Sequence, residues 1–267
     1  MMPFYGRLDY LQASVGSVLA QTSHDWRLVV VDDCFPDPNA GDWVRSIADP
    51  RVTYSRNETN LGVTGNFNRC IDLAQSDHTM LIGFDDLLRP EFVSRIHELL
   101  AAHRGIAMIQ PGVAVIDQSG TAVRPLADRI KARLRPKTAG VHAGERLAVS
   151  LMHGDWAYFP AMVWSTDLLL RHRFRSEHWV VQDLALMVDI VAEGGAMAVD
   201  DEVTFDYRRH VGSVSGAGAS SGAIFEDERA LFASAAARFS ELGWTRAARA
   251  ARLHVTSRLH AATELPA

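Results

Sequence analysis

The stretch from His78 to Pro90 restricts the fold of this chain more than any other. Met80, Leu81 and Ile82 follow one another without the polar alternation that a strand with one wet face needs, so the run fits a strand covered on both faces. It ends at Asp85 and Asp86, and Pro90 stands where a helix can begin without losing a hydrogen bond. Residues 26–33, Trp-Arg-Leu-Val-Val-Val-Asp-Asp, repeat the design: an apolar run closed by two carboxylates. In open α/β sheets the ligand crevice lies outside the carboxyl ends of the strands. Two carboxylates there are good ligands for a hard cation, and they equally suit a capped, solvated turn.

Helical and strand patterns alternate around these runs. Leu8, Leu11, Val15, Val18 and Leu19 form one helical stripe. A short helix near 40–48, a strand at 51–55 and a polar loop at 56–62 follow, then a helix with Phe67, Cys70, Ile71 and Ala74 inward. After the 78–90 stretch a helix over 90–104 turns Phe92, Ile96, Leu99 and Leu100 to the core. This order predicts an α/β fold, a mostly parallel, Rossmann-like twisted sheet with helices on both faces and right-handed crossovers. Beyond residue 105 the pattern predicts strands at 106–110 and 113–117 with a turn at 118–120, and a mobile Arg/Lys/Pro-rich loop over 124–140. A helix near 144–153 precedes an aromatic segment at 156–164, and a helix over 181–193 stops at Gly194-Gly195. A strand over 196–208 leads to a Gly/Ser loop at 212–222, and 223–263 reads as two helices, a C-terminal helical tail.

Composition removes several classes. The 267 residues, 48% hydrophobic with a net charge of −5, suit one sizeable domain or a domain with a tail and carry no nucleic-acid footprint. Cys34 and Cys70 make no disulfide framework and have no metal-ligand spacing, which predicts free thiols in a reducing compartment. No apolar run approaches a membrane span and no signal-peptide pattern is present, so the expected location is cytoplasmic.

Five signals then recur in a fixed order: a strand ending at Asp32-Asp33, Asn-Leu-Gly at 60–62, Asn68 in the next helix, Asp-Asp-x-x-x-Pro at 85–90, and Gln182-Asp183. Together they resemble the inverting family-2 glycosyltransferases of GT-A fold, over roughly residues 2–210. The resemblance implies a donor-binding half at 1–105, an acceptor and catalytic half at 106–215, and a helical extension at 216–267. It implies that Asp33 holds the nucleotide base with Tyr5 beside it, that Pro3, Asn60, Gly62 and Asp85 belong to the nucleotide-sugar site, and that Asp183 is the catalytic base. Asp85 would coordinate a divalent cation, Mn²⁺ or Mg²⁺, with Asp86 assisting. His210 is a further candidate ligand, or else a surface histidine in an Arg208-Arg209-His210 patch able to clamp a diphosphate.

The residues themselves agree with this chemistry, because a sugar nucleotide needs a cation to neutralise its diphosphate. Asp32 also suits a cap of the next turn, and Gly62 a plain loop-to-helix glycine. Among the aromatics, Trp156 and Tyr158 are the candidates for the acceptor site and Trp164 for the core. Two positions depart from the family pattern: Gly83 stands where the family has the first Asp of Asp-x-Asp-Asp, and Gln182 stands where it often has Glu.

The implied partners are a nucleoside-diphosphate sugar and a small-molecule, glycan or lipid-linked acceptor. Between 238 and 260 five Arg stand against one Glu, a face that fits solvent, a homodimer contact or an anionic membrane surface at the inner face. A sugar nucleotidyltransferase and a non-catalytic nucleotide-sugar binder are the competing readings. The former opens with a Gly-rich basic loop, which Pro3-Phe4-Tyr5-Gly6 is not. Helix 181–193 places Asp183 at its positive end, which predicts a lowered carboxyl pKa. The first strand has only residues 1–4 before Tyr5, so either the natural chain starts upstream or the chain as given is expected to be destabilised.

Overall fold

The computed structural model describes residues 1–210 and 223–254. The loop expected at 212–222 and the end of the helical segment, 255–263, lie outside the described residues. In chain order the first half contains β1 (Met2–Phe4), α1 (Leu8–Leu19), β2 (Leu28–Asp32), α2 (Asn39–Arg45), β3 (Val52–Arg56), α3 (Gly62–Asp72), β4 (His78–Met80), β5 (Leu87–Leu88) and α4 (Phe92–Ala102). The second contains β6 (Met108–Ile116), β7 (Ala122–Val123), α5 (Leu126–Leu134), β8 (Gly140–His142), α6 (Gly144–His153), β9 (Val163–Ser165), α7 (Thr166–His172), α8 (Gln182–Ala192) and β10 (Met197–Arg208). The helices α9 (Ala223–Glu241) and α10 (Thr245–Leu253) follow.

β1, β2 and β3 pair in parallel, in that order, and β4-β9-β6-β10-β5 form a second ladder. Met1 joins the two: its amino group donates to Met80 O at 2.9 Å, and Ile82 N donates to Met1 O at 3.0 Å. β6 and β10 make the longest register, in parallel, from Met108 opposite Met197 to Ile116 opposite Arg208. The remaining pairings in the second half are antiparallel and only two or three residues long, so the sheet is mixed there.

Strand alternation assigns the two faces. Leu28 and Val30 of β2 join one core with Ile82, Ile109, Val163 and Ala198, which α1, α2 and α4 cover through Leu11, Val15, Val44, Phe92 and Ile96. Val29 and Val31 point the other way, into a core with Leu81, Met108, Trp164, Met197 and Val199 under α3, α6, α7 and α8. Apolar runs without polar alternation are therefore buried on both sides. The helical tail belongs to this second core: Leu231, Phe232 and Phe239 of α9 and Ala247, Ala248 and Ala251 of α10 pack there, leaving Arg246, Arg249 and Arg252 outside.

Three local expectations change. Residues 108–116 form one strand rather than two, running through Pro111 and Gly112 beside the irregular register at Val203. The 124–140 stretch holds a helix, α5, and a short strand, β8, in place of a mobile loop. Pro90 precedes its helix by two residues, and its carbonyl accepts hydrogen bonds from Thr22 N and Oγ1. Among the described residues no helix is long and apolar enough to cross a membrane.

Candidate active site

The carboxyl ends of β1 to β4 and of β6 and β10 meet at one rim. At the end of β2, buried Asp32 accepts Phe35 N at 2.7 Å, Arg56 Nη1 at 2.7 Å and the Tyr54 hydroxyl. That is a turn-holding role, and it forces Cys34 into the left-handed region at φ 59°. Asp33 faces the neighbouring loop: its Oδ1 accepts Asn57 Nδ2 at 2.9 Å and Leu61 N at 2.8 Å. Asn60 Oδ1 accepts Gly62 N at 2.9 Å, and Gly62 opens α3 with φ 72°. Pro3 lies in β1 opposite Val31. Tyr5, just past that strand, is 49% exposed and meets the Phe35 ring edge-on at 5.1 Å between centroids. Asn68 is structural, exchanging two hydrogen bonds with the backbone of Phe174. Cys34 and Cys70 are free, as expected, and burial pushes the Cys70 thiol up to about 12.

The turn after β4 is built around a glycine. A Cβ on Gly83 would stand 2.6 Å from Asp86 Oδ2 and 2.7 Å from Asp85 Oδ1. A side chain at this position would have to displace the carboxylates of Asp85 and Asp86. Gly83→Ala should cost ~1–3 kcal/mol through this overlap, read as a lowered melting temperature; an unchanged one would mean that the aspartates swing away freely. Asp86 turns inward, accepts Arg208 N at 2.8 Å, and has its carboxyl held well above the usual range by burial and then by the charge of Asp85. Asp85 turns outward, and its Oδ2 lies 2.7 Å from His210 Nε2.

Among the described residues no group of three or more His, Cys, Asp or Glu is arranged around a metal position. One carboxylate and one imidazole in contact nonetheless fit a cation that also takes phosphate oxygens, the usual manner for Mg²⁺ and its relatives.

Two of the three residues of the 208–210 patch are engaged within the chain. Arg208 spends its guanidinium on the carbonyls of Asp85, Asp117 and Gln118, at 2.7, 3.1 and 3.3 Å. Arg209 forms a two-pronged pair with Asp128 of α5, at 2.7 and 2.8 Å. Asp128 also accepts the Tyr158 hydroxyl at 2.8 Å, which with burial raises the Tyr158 pKa. Asp128→Ala would leave Arg209 and Tyr158 without this partner, and should cost ~1.5–3 kcal/mol, the worth of a charged hydrogen bond. Urea unfolding measures it, and no change would show α5 to be fastened elsewhere.

Asp183 stands in the first turn of α8, partly buried, with Oδ1 accepting Leu184 N at 2.9 Å. Its carboxyl is pushed up to about 7, first by burial and then by the charge of Asp155, while Lys131 opposes. The lowering expected from the helix end is present in the Leu184 hydrogen bond and is outweighed. Trp156, expected at an acceptor surface, is instead 1% exposed, with Nε1 donating to Ser150 Oγ at 3.1 Å, so no ring face is open to a sugar. Trp164 is a core residue as expected, and Tyr158 keeps one side toward the α5 cluster. Lys131, Asp128, Asp155 and Phe35 were not singled out from the sequence.

Solved structures share this architecture. TarS of S. aureus superposes with a TM-score of 0.70 at 14% identity, over 99% of this chain and 74% of that one. TarS has also been solved with UDP-GlcNAc, a complex that matches at TM-score 0.65 and 17% identity over 86% of this chain and 64% of that one. A mannosyltransferase of Pyrobaculum calidifontis, solved with GDP-Man and Mn²⁺, superposes with a TM-score of 0.65 at 15% identity over 100% of this chain and 75% of that one. The fold is therefore that of the GT-A class. Residues 1–159 match glycosyl transferase family 2, and the chain belongs to that family. The succinoglycan biosynthesis protein ExoO of Rhizobium meliloti is 26% identical over 212 residues, 79% of this chain and 60% of ExoO. An uncharacterized glycosyltransferase of Methanocaldococcus jannaschii is 24% identical over 117 residues, 43% of this chain and 40% of that protein. The first curated relatives are longer than the stretch they share, which spans 12% to 60% of their length.

Proposed function

We propose that this chain is an inverting, metal-dependent glycosyltransferase that moves a sugar from a nucleoside diphosphate to a hydroxyl acceptor. The observation that carries the reading is Asp85 in contact with His210, and Asp183, in the first turn of α8, has a carboxyl pushed up to about 7. A base working near neutral pH needs a pKa close to that.

Each residue has a part in this reading. Tyr5 and Phe35 flank the nucleotide base at the end of β1, and Asp33 holds the 57–62 loop that frames the nucleoside, with Pro3, Asn60 and Gly62 shaping the same wall. Asp85 and His210 would hold a divalent cation, Mn²⁺ or Mg²⁺, with Asp86 behind them. When bound, the cation neutralises charge on the departing diphosphate. The acceptor oxygen attacks the anomeric carbon as the bond to the diphosphate breaks, and its proton passes to Asp183. No covalent sugar–enzyme intermediate is needed in a single inverting displacement. Tyr158 contributes its ring edge to the acceptor side. The UDP-GlcNAc and GDP-Man complexes of proteins with this fold support the donor class, and ExoO's name supports a glycan as acceptor.

The test is turnover. With UDP-GlcNAc or GDP-mannose, Mn²⁺ and a panel of glycan and lipid-linked acceptors, nucleoside diphosphate should be released, and NMR of the product should show the inverted anomer. Donor binding without release across the panel would identify a non-catalytic binder, and pyrophosphate chemistry a nucleotidyltransferase.

A further inference from the structure

Helix α1 carries a line of polar residues that its apolar stripe does not explain. Tyr10, Ser14 and Ser17 follow at intervals of four and three, so they share one side of the helix, and Gln21, just past its end, continues the spacing. Tyr10, Ser14 and Gln21 are buried. Ser14 Oγ donates to Gly83 O at 3.2 Å. Ser17 Oγ donates to Ser14 O at 2.6 Å and accepts Leu88 N at 3.0 Å. Gln21 Nε2 donates to Arg89 O at 2.8 Å, and its Oε1 accepts Val93 N at 2.9 Å. The Tyr10 ring lies 5.2 Å from the His210 ring between centroids, inclined at 46°, with the Arg208 guanidinium carbon 5.1 Å from its centre.

Asp85 sits inside this frame. Gly83 O also accepts Asp86 N at 3.2 Å, closing a four-residue turn of which Asp85 is the third member. Ser14 therefore grips the carbonyl that defines the turn, and Ser17 holds the backbone two residues beyond Asp86. From the β10 side, Arg208 Nε donates to Asp85 O at 2.7 Å. With its backbone held from both sides, Asp85 keeps its side-chain torsions as its main freedom, and its Oδ2 stands 2.7 Å from His210 Nε2. The carboxylate and the imidazole come from residues 125 apart in the chain, and α1 is one rigid piece that meets both. Burying hydroxyls and an amide stabilises a core less than burying methyl groups would. A fully bonded polar line instead fits at a single register, and so fixes position.

We propose that Tyr10, Ser14 and Ser17 are positioning residues for the Asp85–His210 pair, so that α1 sets how tightly these two groups take a divalent cation. This role rests on Asp85 and His210 being the cation ligands. Ser14 and Ser17 act on the carboxylate through the backbone of its turn, and Tyr10 acts on the imidazole through ring contact. Groups behind the ligands hold them at the angle a metal ion requires, and losing one typically lowers metal affinity ~10–100-fold. With two protein ligands rather than three or four, each orientation counts for more. Gln21 bonds to Arg89 and Val93, farther along the chain, and fastens α1 to the start of α4 instead.

The experiment uses Mn²⁺ alone. Full-length protein with ¹³C-labelled histidines is titrated with Mn²⁺ by NMR, and the His210 ring signal, identified by its loss in His210→Gln, is broadened by the paramagnetic ion. Ser14→Ala, Ser17→Ala and Tyr10→Leu should each raise the Mn²⁺ concentration for half broadening by ~10–100-fold. Ser17→Thr, which returns a hydroxyl, and Tyr10→Phe, which keeps the ring, should restore it. Gln21→Met should lower the melting temperature and leave the Mn²⁺ midpoint in place. Unmoved midpoints in Ser14→Ala and Tyr10→Leu, or an equal move in Gln21→Met, overturn the proposal, because a merely structural helix alters stability alone. Should either of the first two variants not fold, the other decides. Asp85→Asn separates the two levels. Wild-type broadening of His210 in that variant, or none in the wild type, defeats the cation site itself, whereas broadening lost in Asp85→Asn with unmoved midpoints in the α1 variants defeats only the role of α1.

Discussion

Asp183→Asn should lower kcat by at least the ~10²–10⁴-fold typical of a lost acid–base group, with donor affinity and fold retained. Its pH behaviour gives a second reading. A base with a carboxyl near 7 must lose its proton to work, so wild-type kcat should rise through neutral pH with a midpoint near that value. The same shift has a stability consequence of definite sign. The folded state holds the Asp183 proton more tightly than the unfolded state, whose carboxyl returns to the usual range. Stability from this group is therefore present below about pH 4 and is lost as pH rises from there to about 7. Asp183→Asn, which never ionises, should melt at a higher temperature than wild type at pH 8, and the gap should close in acid. An aspartate serving only the helix dipole behaves oppositely, stabilising by ~0.3–1 kcal/mol when ionised and contributing little to turnover. A mutant that is less stable at pH 8 and nearly normal in activity would refute the assignment.

Asp85→Asn should abolish the Mn²⁺ enhancement of donor binding and reduce turnover by orders of magnitude. Calorimetric titration of UDP-GlcNAc or GDP-mannose with and without Mn²⁺ measures the first. Asp85 is the less buried carboxylate of the pair, and on the proposed reading its loss takes the charged ligand from beside His210. Asp86→Asn serves as the contrast: an amide oxygen still accepts Arg208 N, so fold and Mn²⁺ response should largely persist. Equal losses in the two mutants would mean that the pair acts as one unit, and full Mn²⁺ response in Asp85→Asn would remove it from the cation site.

What was legible in the sequence was local. β2 and the segment from β4 to Ile82 declared themselves because a strand buried on both faces leaves no room for polar alternation, and the aspartates at their ends fell at the rim for the same reason. The α8 stop at Gly194, with φ 93°, was equally visible. What failed depended on distant partners. α5 escaped because its anchors are ionic, made by Asp128, Lys131 and the adjoining Arg135, in a stretch crowded with Arg, Lys and Pro. Arg208 and Arg209 looked like free cations, yet their partners lie 81 to 123 residues away along the chain. Trp156 and Trp164 were separated by their neighbours in sequence, although the cover provided by α6 and α8 buries both. For Asp183 the local rule gave the wrong direction because burial beside Asp155 exceeds the pull of a helix end.

Arg208, Arg209 and His210, at the end of β10, join two parts of the molecule. Consecutive residues of extended chain face opposite ways, and here Arg208 and His210 serve the Asp85-Asp86 turn while Arg209 between them grips α5. Three adjacent residues thus tie the Asp85-Asp86 turn and helix α5 to one short piece of backbone. A donor that reseats Asp85 and His210 must tug on the same peptide units that hold α5. On the proposed reading donor and acceptor would then share a coupling free energy, and whatever factor the first added to the affinity of the second, the second would return to the first. Such a chain would load its substrates in order and hydrolyse its donor slowly when no acceptor is present.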